Sequence, residues 1–274
     1  MAIDPSRRAS GGKELPISAA TTKNLPGEEF FHPMTRVGLQ LFTVEEPTPE
    51  AVRLAADAGY EGVEFAYEVE RADPDAVRRA IDDTNMDLVG AHVTLEQLEE
   101  RLEETARFYS SIGVDTIVLA YLDDSHFEDE NAIEETASAL QTFATAFSDR
   151  GLHFCYHNHD HEFHEIDGRT AIEALVEHTD DVDIELDVEH VAKTGVSGPG
   201  LLERLEGRVP VVHVGDASRS TGEATALGEG DAEVSECVRA AAEAGTEWFV
   251  YEGEEANTAF SDAASFIRRS LETR

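Results

Sequence analysis

From Val37 onward, short apolar runs alternate with longer amphipathic stretches. The runs Val37–Phe42, Gly62–Phe65, Leu88–His92, Thr116–Ala120, His153–His157, Asp183–Asp187, Val211–Val214 and Trp248–Glu252 read as strands. Between them, 49–58, 74–84, 95–111, 131–149, 170–178, 199–206, 232–243 and 258–272 show helical spacing with acidic outer faces. The joints repeat: "AADAGYEGVEF", "SSIGVDTIVL", "SDRGLHFCYH" and "AAEAGTEWFVY" each end a helix near a glycine suited to a left-handed cap, then enter a strand. Continuous apolar strands separated by helices predict a parallel sheet covered on its outer face. Eight such units over about 240 residues predict a (β/α)8 TIM barrel, a single α/β domain spanning 37–274. A doubly wound open sheet is the competing arrangement, but it usually carries a Gly-rich phosphate loop, and GxGxxG is absent. Residues 1–36, rich in Ser, Thr, Gly and Pro and without periodicity, are expected to form a flexible tail.

Charge changes the picture next. The chain carries 58 Asp and Glu against 21 Lys and Arg, a net of −37. The first 36 residues hold five basic and four acidic side chains, so the predicted barrel itself carries −38. Lysine occurs only at Lys13, Lys23 and Lys193. So acidic a surface repels itself unless counter-ions crowd it, as they do at 1 M salt, where the Debye length is ~3 Å. A cytoplasmic protein of a salt-accumulating organism is the expected context. The 41% hydrophobic content in regular runs argues against a disordered acidic chain. The charge also argues against a nucleic-acid partner, which needs a basic groove. No apolar stretch approaches the roughly 20 residues needed to cross a bilayer, and Arg7-Arg8 is not followed by an apolar leader segment. Cys155 and Cys237 fit buried thiols in a reducing compartment.

In a (β/α)8 barrel the chemistry sits at the C-terminal strand ends. Here those ends are polar. Gln40 closes the first run, Glu64 lies in the second, His92 ends the third and Tyr121 follows the fourth. The fifth ends in His157-Asn158-His159, with Glu162 beyond it; Asp187 and His190 mark the sixth. His213 and Asp216 mark the seventh, and Glu252 and Glu254 the eighth. Strand starts show no comparable set. A lone histidine on an apolar strand is more often a satisfied core residue than a ligand, but eight strand ends behaving alike argue against that reading. Carboxylates and imidazoles suit one divalent cation: Mn²⁺, Mg²⁺, Co²⁺, Fe²⁺ or Zn²⁺. No G-x-S-x-G elbow or P-loop occurs.

At these residues the sequence resembles the sugar phosphate isomerase/epimerase-like group of the xylose-isomerase-type barrels. The resemblance runs through "VGLQLFTV" (37–44), "GYEGVEF" (59–65), "YHNHDHEF" (156–163), "ELDVEHVAKTG" (185–195), "VVHVGD" (211–216), "GEG" (228–230) and "FVYEGE" (249–254). It implies a metal held by a carboxylate near the fifth strand, an aspartate on the sixth, a histidine on the seventh and a glutamate on the eighth. The last three map onto Asp187, His213 and Glu252. For the fifth strand, the subgroup with "YHNH" implies Glu162, with His157 as the alternative ligand. After the seventh strand the family pattern is similar to His-x-Lys-Asp, whereas this chain has His213-Val214-Gly215-Asp216. Arg219 is the candidate replacement for the missing cation, and without one a neutral sugar is favoured over a phosphorylated one.

The expected activity is isomerisation or epimerisation of a sugar or keto-polyol through an enediolate, with Glu162 and Glu252 moving the proton and Glu64, His92, His157 and His159 holding hydroxyls. Loss of a β-hydroxyl from the same intermediate would make the enzyme a dehydratase or lyase. Two readings of other classes compete. An abasic-site endonuclease shares the barrel but needs a richer metal cluster and a basic DNA crescent. A non-catalytic sugar- or metal-binding protein would keep the site without turnover. Relatives are often dimers or tetramers, although no interface patch for a homo-oligomer is legible.

Overall fold

In the computed structural model, which describes residues 35–46, 48–253 and 259–272, every predicted apolar run becomes a strand. They are β1 (Arg36–Gln40), β2 (Gly62–Phe65), β3 (Asp87–Val93), β4 (Thr116–Leu119), β5 (His153–His157), β8 (Asp183–Asp187), β9 (Val211–Val214) and β10 (Trp248–Tyr251). All pair in parallel and close in the order β1-β10-β9-β8-β5-β4-β3-β2. The predicted (β/α)8 barrel is therefore the fold, and the sixth, seventh and eighth barrel strands are β8, β9 and β10. A short antiparallel hairpin, β6 (Glu165–Ile166) with β7 (Arg169–Thr170), lies between the fifth and sixth.

The helices follow the amphipathic stretches within two residues at most ends: α1 (Thr48–Asp57), α2 (Pro74–Thr84), α3 (Leu95–Ile112), α4 (Glu130–Ser148), α5 (Ala171–Glu177), α7 (Gly198–Arg204), α8 (Val234–Glu243) and α9 (Phe260–Glu272). Several starts are fixed by side-chain caps. Thr94 and Thr170 form capping boxes with Gln97 and Glu173, and Asp73 and Asp129 cap α2 and α4. One helix was not predicted: α6 (Val188–Thr194) follows β8 with no linker. Its seven residues are too few to show a period, and its N-cap is Asp187, the last residue of the strand.

Two apolar layers hold the barrel. Phe249 and Tyr251 of β10 join the large cluster between strands and helices, while Trp248 and Val250 join Val89 and Val211 in a smaller inner one. This alternation is the period-two geometry of a strand. Gly62 is required by it, because a Cβ there would stand 2.5 Å from the Trp248 indole. β1 begins at Arg36, one residue inside the predicted tail; its guanidinium lies 4.0 Å over the Trp248 ring and bonds Asp87 at 3.1 Å. Residues 1–34 of that tail, and Glu254, lie outside the described residues. Among the described residues no helix is long and apolar enough to cross a membrane.

Candidate metal centre

The C-terminal strand ends carry a layer of buried polar side chains: Gln40, Glu64, His92, His157, Glu185 and His213 are each at most 5% exposed. Above it stand Asp187 and Glu252. His157, Asp187, His213 and Glu252 offer ligand atoms that all lie within 4.8 Å of one another. They come from four consecutive barrel strands, β5, β8, β9 and β10. Two imidazole nitrogens and two carboxylate oxygens fit a borderline divalent cation, and hydrogen bonds hold the donors in place.

Asp187 shows how. Its Oδ1 accepts from the backbone N–H of Glu189 at 2.7 Å and of His190 at 3.4 Å, capping α6. Its backbone N–H donates to Asn158 Oδ1 at 3.0 Å. The other oxygen, Oδ2, is left facing His157 Nε2 at 4.0 Å and His190 Nε2 at 3.9 Å. One carboxylate thus ends a strand, starts a helix and presents a free oxygen to the site.

Electrostatics ties the layer together. Burial raises Glu64, and the neighbouring Glu185 charge raises it further. Burial would raise Glu185 too, but His213 and His92 beside it hold it well below the usual carboxylate range. Of this repelling pair, Glu185 is the ionised member. Burial also opposes the charge on Glu252, yet the His213 imidazole overrides it and holds that carboxyl down to about 2. His213 meets the reverse balance: burial disfavours its charge, but Glu185, Glu64 and Glu252 raise it well above the ordinary value. His159 is pushed down to about 3 by burial and by His157 and His190, so it is neutral near pH 7.

The structure does not bring Glu162 into the ligand group. Its Oε1 accepts from the Tyr156 hydroxyl at 2.5 Å and its Oε2 from the His159 N–H at 3.0 Å, inside a single 3₁₀ turn (His161–Phe163). The parity of β5 explains the difference. Tyr156 belongs to the outer cluster, whereas His157 faces the barrel interior, and the Glu162 carboxylate folds back onto the Tyr156 side. His157, the alternative ligand on that strand, occupies the place in the group. Arg219 is not brought to the site either; its Nε donates to the Ala192 carbonyl of α6 at 3.1 Å. Space beside residue 215 is taken by Glu189, whose Oε2 would stand 2.7 Å from a Cβ there and whose Oε1 pairs with Lys193 at 2.9 Å.

Other expected residues do converge. Glu64 and His92 sit in the buried layer, with Gln40 donating to Glu64 at 3.1 Å. A cavity of about 150 Å³ opens over the layer, lined by His92, His157, His159 and Glu252 together with Phe42 and Tyr67. Among the described residues no Lys or Arg lines it. Phe42 (52%), Tyr67 (37%) and Tyr121 (50%) are the large apolar side chains exposed among those residues. Phe42 and Tyr67 line the cavity, and Tyr121 stacks edge-on to His159 with ring centres 4.9 Å apart. Glu185 is not among the strand-end candidates of the sequence. Its signal was present, since an acid two residues before Asp187 in an apolar strand shares the inward face.

Comparisons with known proteins agree with this architecture. The family model described as xylose isomerase-like TIM barrel matches residues 52–270. No curated protein matches. Among solved structures, a sugar phosphate isomerase/epimerase from Parabacteroides distasonis superposes with a TM-score of 0.69 at 18% identity, covering 91% of this chain and 97% of that one. A D-allulose 3-epimerase from Methylomonas sp. gives 0.64 at 14%, covering 86% and 98%. An AP endonuclease, family 2, from Brucella melitensis gives 0.66 at 18%, also covering 86% and 98%. At such identities these likenesses speak to the barrel, and the matched family model spans most of the chain. With its closed parallel barrel and its polar strand ends, this chain belongs to the xylose isomerase-like TIM barrel family.

Proposed function

We propose that the protein is a divalent-metal-dependent isomerase or epimerase of a neutral sugar or keto-polyol. The observation that carries this is the convergence of His157, Asp187, His213 and Glu252 at one barrel mouth. Two sugar epimerases and isomerases among proteins of the same fold add to it. A divalent cation held by these four residues would act as a Lewis acid on a substrate carbonyl and hydroxyl. The protein's own groups supply the rest. Glu252, the carboxylate lining the cavity among the described residues, would take the proton from the carbon α to the carbonyl. Neutral His159 can exchange hydrogen bonds with a hydroxyl, and His92 lines the same cavity. Phe42, Tyr67 and Tyr121 give the apolar face of a sugar ring a surface to lie on. With no cation on the cavity wall among the described residues, a phosphorylated or carboxylated substrate has no counter-charge there, and a DNA backbone has less.

Incubation with neutral ketoses in D₂O and high salt is the test. Deuterium is expected at the carbon α to the carbonyl, dependent on added Mn²⁺ or Co²⁺ and lost with chelator. The configuration of the labelled product separates same-face from opposite-face return of the proton. Exchange unchanged by chelator across a ketose panel would remove the metal from the reading, and sugar binding without exchange would favour a non-catalytic role.

We read the net charge of −37 as adaptation to high internal salt. The thermal midpoint is then expected to rise by on the order of 10 °C between 0.1 M and 2 M KCl as self-repulsion is screened. A midpoint flat in KCl would contradict that reading.

A further inference from the structure

We infer that Glu185 is the positioning residue that selects which nitrogen His157 and His213 turn toward the metal, an inference that rests on the ligand set proposed above. Glu185 lies on β8 two residues below Asp187 and is fully buried. A single oxygen of it, Oε1, meets three imidazoles: His92 Nε2 at 2.6 Å, His157 Nδ1 at 3.1 Å and His213 Nε2 at 3.1 Å. Its second oxygen is buried without a hydrogen-bond partner. The side chain is therefore spent on the histidines. Glu64 backs it, its Oε2 lying 2.7 Å from the same His213 Nε2.

The two ligand histidines meet Glu185 through opposite nitrogens, and this is what the inference turns on. His157 points Nδ1 down to it and leaves Nε2 toward Asp187, while His213 points Nε2 down and leaves Nδ1 2.7 Å from Glu252. A carboxylate oxygen accepts hydrogen bonds, so a ring held on Oε1 turns a hydrogen-bearing nitrogen down to it. Its other nitrogen is the one left to face the ligand group, where a bound cation would take that nitrogen's lone pair. A carboxylate behind a metal-bound imidazole commonly fixes its tautomer and ring plane. Here one buried glutamate does so for both ligand histidines, which lie on strands on either side of its own.

A purely structural Glu185 would affect folding and leave metal affinity alone, so the two roles separate. Glu185→Gln is nearly isosteric and replaces the charge behind both imidazoles with a neutral amide, a weaker acceptor that holds the rings and their basicity less firmly. The metal-free variant is expected to keep the wild-type circular dichroism. Titrated with Co²⁺ alone, it is expected to bind about 10- to 100-fold more weakly and to shift the cobalt d–d absorption. Affinity within twofold of wild type would overturn the inference. Asp187→Asn and His213→Ala run beside it: if those two bind Co²⁺ like wild type, the ligand set is at fault and not the role of Glu185. Should Glu185→Gln fail to fold, the Zn²⁺-loaded wild-type chain still decides. Long-range ¹H–¹⁵N spectra are expected to show hydrogen on His157 Nδ1 and His213 Nε2, and the reverse at either ring refutes the assignment.

Discussion

Asp187→Asn is expected to abolish metal retention and to lower α-hydrogen exchange about 10³-fold, corresponding to about 4 kcal/mol of lost transition-state stabilisation. Asparagine is the sharp choice because of what Asp187 does twice. Its Oδ1 caps α6 through two backbone N–H groups, and an amide oxygen serves that purpose as well as a carboxylate oxygen. The cap fixes the amide's orientation, so the NH₂ must occupy the place of Oδ2 and face the ligand group, where it cannot bind a cation. Stability should thus change by less than about 1 kcal/mol while metal binding goes. Alanine would lose cap and ligand together. His213→Ala would also leave Glu64, Glu185 and Glu252 without the imidazole that faces all three. Glu162→Gln is the companion measurement: its carboxylate is held by Tyr156 and the His159 N–H, so metal content should stay at the wild-type level. Calorimetric titration with Mn²⁺ reads both. A Glu162→Gln variant that loses the metal while Asp187→Asn keeps it would exchange their roles.

That contrast marks where sequence reading stopped. The barrel was legible because its signals are local and repeated: each strand is a short apolar run and each joint a glycine-capped helix end, and eight repeats leave little freedom. Asp187, His213 and Glu252, which the barrel brings together, were legible as candidates because each stands at or next to the end of its own run. Which side chain the fifth strand brings to that group was not, because "YHNHDHEF" offers several ligating side chains within a few residues and the spacing alone does not say which way the turn folds. The 3₁₀ turn at His161–Phe163 ties Glu162 back to Tyr156 and leaves His157 in the candidate group. Arg219 was expected in the site from a missing charge, yet the chain fills that space from α6, with Glu189 against Gly215 and Lys193 on Glu189. Glu189 against Gly215 and Arg219 on Ala192 join residues 26 and 27 positions apart across the fold, and no single segment announces them. Glu185 was passed over for a different reason. Sequence reading looked at strand ends, and a carboxylate one step inside a strand becomes visible only when the barrel brings three histidines onto it.

Asp216→Asn is expected to destabilise the fold by roughly 3–5 kcal/mol, through the loss of hydrogen bonds to a charged acceptor. Asp216 follows β9 among the polar strand ends, but its carboxylate is taken up by its own loop. Oδ1 accepts from the N–H groups of Ala217 and Ala232, each at 3.0 Å. Oδ2 accepts from Gly228 at 2.8 Å and Gly230 at 3.0 Å. Four backbone donors in a loop of seventeen residues thus converge on one buried side chain. These bonds tie "VVHVGD" to "GEG" in the fold. Residue 230 must be glycine because a Cβ there would stand 2.3 Å from Asp216 Oδ1 and 2.6 Å from the Ala217 carbonyl. An asparagine would keep one acceptor oxygen and turn an NH₂ against two N–H donors, leaving two buried donors unpaired and adding a donor–donor clash. The cost is a large share of the 5–15 kcal/mol that holds a typical domain together. Chemical denaturation at fixed high KCl should show the lower midpoint with an unchanged slope, and limited proteolysis should cut first between Asp216 and Ala232. A loss below about 1 kcal/mol would mean that the loop holds its shape without this carboxylate. His213 sits three residues before Asp216 at the start of the same connection. Metal affinity measured well below the midpoint should therefore fall far less than in Asp187→Asn, which separates the residue that shapes the loop from the residues that face the cation.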